Sequence, residues 1–122
     1  MARPNAHGVL IGAKKCIIYN DKRCYARVEI AQWKGLWYEG SWKELKGSST
    51  GCGGGGVMPS IHAKPYKTAN EAESASILGM IRSFQHDRTR VQYSAQIGKC
   101  VAALRERLYK INDVKQNLFD YQ

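Results

Sequence analysis

No run of apolar residues in this chain approaches the ~18 that a membrane-spanning helix requires, so a membrane span is not expected. Met1 to Gly8 lacks the apolar stretch of a secretory signal, which points to a cytoplasmic protein with reduced thiols. Cys16, Cys24, Cys52 and Cys100 contain no CxxC pair, and neither they nor His7, His62 and His86 share metal-ligand spacing. Cys16 and Cys24 flank a turn and could face each other across two strands, so a disulfide there stays open.

Catalytic signatures are missing too. A phosphate-binding P-loop needs GxxxxGK followed by Ser or Thr, but the glycine tract ends Gly56-Val57-Met58. At Gly98-Lys99-Cys100, Tyr93 stands where the first glycine belongs and Cys100 replaces the hydroxyl. Neither GxSxG nor HExxH occurs. Cys52 lies in the glycine tract with His62 further on, and Glu29, Glu39 and Glu44 lie on strands, without a motif that joins them. The expectation is a protein without catalytic residues, metal or cofactor.

Acidic residues are scarce. There are 10 against 19 Lys and Arg, a net charge of +9. Residues 1–67 hold 11 basic and 4 acidic residues and residues 68–122 hold 8 and 6, so the excess belongs mainly to the first half. A field of this sign attracts nucleic acid, acidic proteins or anionic surfaces, and it argues against an acidic mimic of DNA.

What the chain does have is an aromatic cluster inside that basic half. Trp33, Trp37 and Trp42, the chain's 3 tryptophans, fall within one short segment with Tyr38, Lys34, Lys43 and Lys46. Aromatics interleaved with lysines suit a surface that stacks on bases and neutralises phosphates. They equally suit a protein-binding hot spot.

At 122 residues with 43% hydrophobic content, one domain over 1–122 is expected. Residues 1–8 read as a flexible leader, since Pro4, Asn5 and Gly8 discourage regular structure. Cys16 to Tyr19 is β-prone, and Asn20 to Arg23 is turn chemistry. Cys24 to Trp33 alternates, with Ala26, Val28 and Ile30 on one side and Tyr25, Arg27, Glu29 and Ala31 on the other, which predicts a half-buried strand. Lys34-Gly35 can turn the chain into a further strand, Leu36 to Leu45. Residues 46–56, with four consecutive glycines, read as a mobile loop. Ala63 to Tyr66 is a short edge-strand candidate.

Thr68-Ala-Asn-Glu71 is a capping box and predicts a helix to about His86, with Ala75, Leu78, Ile81 and either Phe84 or Gln85 on its stripe. Residues 88–122 read as a C-terminal helical segment that begins near Thr89 or Arg90 and either continues to Leu118 or breaks at Asn112-Asp113. Ile97, Val101, Leu104, Leu108 and Ile111 form a heptad-like seam that either folds onto the sheet or pairs with a second copy through 93–111. The predicted class is α+β, a three- to four-stranded antiparallel meander followed by two C-terminal helices.

Strand parity puts Trp37 and Tyr38 on opposite faces, and groups Trp33 with Tyr25 and Trp42 with Tyr38 and Leu36. One set is expected to be core; the other is a candidate platform. Trp33, Trp37, Tyr38 and Trp42 are the stacking candidates. Arg27, Lys34, Lys43, Lys46, Lys64 and Lys67 are the candidate phosphate contacts.

Trp37-Tyr38-Glu39-Gly40, Gly53 to Gly56, Pro59-Ser60, Tyr66-Lys67-Thr68 and Glu71-Ala72 together resemble a strand–loop–helix segment of phage and plasmid proteins. There the segment accompanies ParB-like or methylase modules. The resemblance spans about a third of the chain. It implies a mobile-element origin and an association with DNA metabolism, and for a phage protein the compartment is the host cytoplasm. Small phage proteins also act, as anti-CRISPR proteins do, by docking on a host defence complex. The partner expected is therefore nucleic acid, DNA or RNA, or a host nucleoprotein complex.

Overall fold

A computed structural model describes residues 2–48, 51–87 and 94–112; the side chains of 46–48, 51–54, Asp87 and Ser94 lie outside that description. The elements in order are β1 (Arg3–Pro4), β2 (Leu10–Ile11), β3 (Lys14–Asn20), β4 (Cys24–Trp33), β5 (Leu36–Ser48), β6 (Gly51–Val57), α1 (Ala69–Asp87) and α2 (Ser94–Ile111). β3 to β6 form one antiparallel meander in sequence order, and both helices follow it, so the fold is α+β.

The alternation of β4 sets the layers. Cys24, Ala26 and Val28 are buried on one face, with Leu45 of β5 opposite Cys24. Ile77, Met80, Ile81 and Phe84 of α1 and Ile97, Cys100, Val101 and Leu104 of α2 close over that face and make the main core. The buried stripe of α1 thus differs from the predicted one: Leu78 is 43% exposed, because Ile77, Ile81 and Phe84 recur at the spacing that stays in phase with the helix. The α2 seam packs on the sheet. Ile97, Val101 and Leu104 are buried there, with Leu108 and Ile111 partly buried against that core.

Two tight turns fix the register. Asp21 Oδ1 accepts the amides of Arg23 and Cys24, each at 2.7 Å, closing the β3–β4 turn. At Lys34-Gly35 both residues have positive φ, 52° and 79°, and Trp33 pairs with Leu36, which is a two-residue type I′ hairpin. Cys16 pairs with Val28 and Cys24 with Leu45, so Cys16 and Cys24 do not face each other and a cross-strand disulfide between them is ruled out by register.

Two segments read as irregular are ordered. The glycine tract is not a loop but the edge strand β6, with Gly53 to Gly56 opposite Leu45 to Trp42. Glycine is a poor strand former by propensity, costing about 0.5–1 kcal/mol per residue against alanine, but the outer edge of β5, opposite the one β4 occupies, offers the tract a ladder. A Cβ at Gly56 would run into the Ser41 carbonyl and the Trp42 Cα, so close backbone approach requires glycine there. The leader is not flexible along its length either. Arg3 and Pro4 pair with Ile11 and Leu10, and Ala2 and Leu10 are buried. Ala63 to Tyr66 gives only a single bridge, between Tyr66 and Trp37. The predicted start of the second helix at Thr89 or Arg90 and its continuation to Leu118 lie outside the described residues.

Candidate functional site

The sheet face turned away from the helices carries Tyr25, Arg27, Glu29, Ala31 and Trp33 of β4 and Leu36, Tyr38, Gly40, Trp42 and Glu44 of β5, by register. The N-terminal hairpin divides this face. Ala2, Leu10, Ala13 and Ile61 pack on Ala31, Tyr38 and Trp33 in a second, smaller core. Leu10 donates to the Pro59 carbonyl at 2.8 Å and Ile61 to the Gly8 carbonyl at 2.9 Å, which ties the hairpin to the chain leaving β6. A Cβ at Gly40 would meet Pro59 Cδ at 2.6 Å, so that glycine lets the segment cross the sheet. Tyr38 is 5% exposed beneath this cover and is no longer a stacking candidate.

The uncovered half holds Ile17 (59% exposed), Tyr25, Arg27, Trp42 (36% exposed) and Glu44. Arg27 and Trp42 are cross-strand partners. Its charges balance. Lys15 Nζ and Arg27 Nε stand 3.8 and 4.0 Å from the buried Glu29 carboxylate, and Trp42 Nε1 donates to Glu44 Oε1 at 2.7 Å. Arg27 also reaches the Tyr25 hydroxyl at 3.4 Å and lies 5.8 Å from that ring. Two cations against two carboxylates leave no net attraction for a polyanion.

A second aromatic group gathers at the tip of the β4–β5 hairpin. The Lys34 ammonium lies 4.5 Å from the Trp33 ring centroid, and the Lys64 ammonium 5.4 Å from that of Tyr66. Trp37 and Tyr66 exchange backbone hydrogen bonds, both at 2.8 Å, which brings the 64–67 segment beside the hairpin. Lys67 follows, its amide donating to Glu71 Oε2 at 3.2 Å while the Glu71 amide donates to Thr68 Oγ1 at 3.1 Å. The capping box therefore forms with Glu71 returning to Lys67, one residue earlier than expected. Tip and open half stand six residues apart along β4, roughly 20 Å. By register Trp37 and its bridge partner Tyr66, with Lys64, lie on one face of the tip, and Trp33 with Lys34 on the other; Arg27 and Trp42 come together in the open half.

Lys43 belongs to neither. It lies on the helix face, its ammonium donating to the Ser83 hydroxyl and lying 5.1 Å from the Phe84 ring. Parity separates Lys43 from Trp42, and the helices cover the Lys43 side, so it is withdrawn as a phosphate contact. The Lys46 side chain lies outside the described residues. Beside Lys43, a groove of about 320 Å³ runs between α1 and the β5–β6 edge, with Glu39, Ser41, Ser76 and Met80 in its walls. Burial raises the Glu39 carboxyl above the usual range, partly opposed by the Ser76 hydroxyl. Ser76 itself donates to the Gly40 carbonyl at 2.8 Å.

Tyr66 is the residue of the tip that sequence reasoning had not nominated, although it stands in the aromatic–x–Thr turn already singled out. Burial sharpens the charge bias beyond composition. Among the described residues twelve Lys and Arg side chains are exposed, against two carboxylates, Glu71 and Glu106. Glu29 and Glu73 are buried, and Asp21, Glu39 and Glu44 half-buried. No three His, Cys, Asp or Glu side chains among the described residues gather into a metal site. No described helix is long and apolar enough to cross a membrane. In comparisons with protein-family models, curated proteins and solved structures, nothing matches this chain.

Proposed function

We propose that this protein binds nucleic acid without catalysing a reaction, as a phage or mobile-element protein acting in the host cytoplasm. The observation that carries the reading is the exposed charge, twelve cations to two carboxylates among the described residues. The hairpin tip is the contact region. Lys34, Lys64 and Lys67 would neutralise phosphates, and Tyr66 and the accessible edges of Trp33 and Trp37 would stack on bases, worth about 1–3 kcal/mol per base. Fluorescence anisotropy with labelled single-stranded and duplex oligonucleotides, at low and moderate salt, tests it. Micromolar binding that weakens steeply with salt supports the reading; no binding at low salt overturns it.

The open half of the sheet favours a second reading, a docking surface for a host defence or nucleic-acid-processing complex, in the manner of an anti-CRISPR inhibitor. Ile17, Tyr25, Arg27 and Trp42 are large and accessible, and the surrounding charges cancel, which is hot-spot chemistry. This reading expects a complex with one protein partner that survives nuclease treatment and is lost in Trp42→Ala.

A further inference from the structure

We propose that the open pocket between the start of α1, the end of α2 and the β3 edge binds a phosphate group. The pocket measures about 340 Å³ and is lined by Lys14, Asn70, Glu73, Arg107, Lys110 and an apolar wall that includes Ile30. Three cations from two elements converge on it against a single carboxylate.

That carboxylate is already engaged. Glu73 is buried, and Arg107 Nη2 donates to both of its oxygens at 3.0 and 3.3 Å. The pair holds the guanidinium in place and keeps it charged, its pKa raised by the Glu73 hydrogen bond against the opposing effect of burial. Only one guanidinium nitrogen is used by Glu73, and Arg107 Nε is buried with no hydrogen-bond acceptor. Lys110 has Glu106 at 3.4 Å, but both side chains are about two-thirds exposed (67% and 70%), and such a pair is readily exchanged for a stronger anion. Lys14 is exposed at the cavity edge.

With Glu73 and Glu106 both counted the charge left over is +1, rising to +2 when Lys110 exchanges Glu106 for the incoming anion, which suits a phosphate group. The guanidinium nitrogens that Glu73 leaves unused, with two flanking ammonium groups, are also donors of the kind that phosphate recognition uses. The α1 dipole, whose positive end is at Ala69 and Asn70, adds to the same field without being its basis. The volume exceeds that of inorganic phosphate and leaves room for an attached group. Lys14 and Lys15 are adjacent on β3 and so point to opposite faces of its edge, Lys14 to the cavity and Lys15 to the open sheet half. A phosphate entering here could be the terminal phosphate of a nucleic-acid strand or belong to a free phosphorylated compound. The first source rests on the nucleic-acid reading above; the cavity does not.

The full chain is titrated with pyrophosphate and followed by amide chemical shifts and calorimetry. The expected result is saturable binding with shifts concentrated at Asn70 and Lys110, weakened about tenfold or more in Lys14→Ala/Lys110→Ala. The Lys22→Ala/Arg82→Ala control, at exposed cations outside both the pocket and the hairpin tip, should bind pyrophosphate as the parent does. Both variants change exposed side chains, so a fold defect is not expected, and their unchanged spectra elsewhere check that. Shifts spread evenly over all lysines, or parental affinity in the Lys14/Lys110 variant, overturn the proposal. A second arm compares 5′-phosphorylated with 5′-hydroxyl oligonucleotides. A preference for the phosphate that disappears in the Lys14/Lys110 variant identifies a strand end. Pyrophosphate binding without that preference identifies a free phosphorylated compound, and either supports the cavity. Failure of the 5′-hydroxyl oligonucleotide to bind at all overturns the nucleic-acid reading alone and leaves the pyrophosphate arm intact.

Discussion

Lys34 and Lys43 occupy opposite situations on neighbouring strands: the Lys34 ammonium lies over Trp33 at the exposed hairpin tip, whereas Lys43 is tied to Ser83 beneath α1. Two lysines that look alike in sequence are therefore placed differently, one open to solvent at the tip and one held against α1.

Replacing Lys34, Lys64 and Lys67 together by alanine removes three exposed charges at the tip. If they contact phosphates, oligonucleotide affinity falls for every sequence tested, and the slope of log K against log salt becomes shallower by about 2–3 units. Anisotropy at four or five salt concentrations measures the slope. A parental slope in the triple variant would remove the tip from the interface. Lys43→Ala leaves the slope unchanged, because that ammonium is engaged at the helix.

Trp42→Ala and Tyr38→Phe separate the open half of the sheet from its covered half. Trp42 is the most exposed of the three tryptophans, so its loss costs little stability. In the docking reading it abolishes capture of the protein partner and spares oligonucleotide binding. Tyr38 is buried under the N-terminal hairpin, and Tyr38→Ala there costs about 3–5 kcal/mol in a urea melt, as large-to-small core substitutions do. Tyr38→Phe keeps the volume and is expected to leave both binding activities in place.

Much of this architecture was open to sequence reasoning where local rules and tertiary packing agree. Cys24 to Trp33 alternates with period two and ends on a Lys-Gly pair suited to positive φ, so strand, turn and register could be read together. The glycine strand could not be read this way, since nothing in Gly53 to Gly56 favours extended structure and its support is the edge of β5. Parity separated Trp37 from Tyr38, but the same rule was not carried to Trp42 and Lys43, adjacent on β5 and therefore on opposite faces. It could not say which face the helices would take, nor that residues 2–13 would cover half of the other. The phosphate cavity was equally hidden, because Lys14 and Arg107 are far apart in sequence and meet only when α2 lies across β3 and β4.

The Lys34–Gly35 turn offers a direct test of register control. Lys34 has φ 52° in a position that favours Asn or Gly. Lys34→Asn is expected to raise stability by about 0.5–1 kcal/mol, while Gly35→Ala, at φ 79°, lowers it by about 1 kcal/mol or more although the site has open space around it. Denaturant midpoints at constant slope read both changes.

Glu39 supplies a pH-dependent test of the groove under α1. Its folded carboxyl titrates above the ordinary value because burial disfavours the charged form. A raised folded pKa means that the folded state binds the proton more tightly than the unfolded chain. The favourable contribution is therefore full below the unfolded pKa, near the ordinary carboxylate range, and is lost as pH rises through the folded pKa. At neutral pH the ionised group weighs against folding. Glu39→Gln, which keeps the shape and the Ser76 partner without the charge, is expected to be more stable than the parent at pH 7. That advantage should shrink toward zero at acid pH, where the parent is itself protonated. Thermal or urea melts of the two proteins across this range measure the difference. An advantage that stays constant with pH would assign the gain to packing and not to the charge.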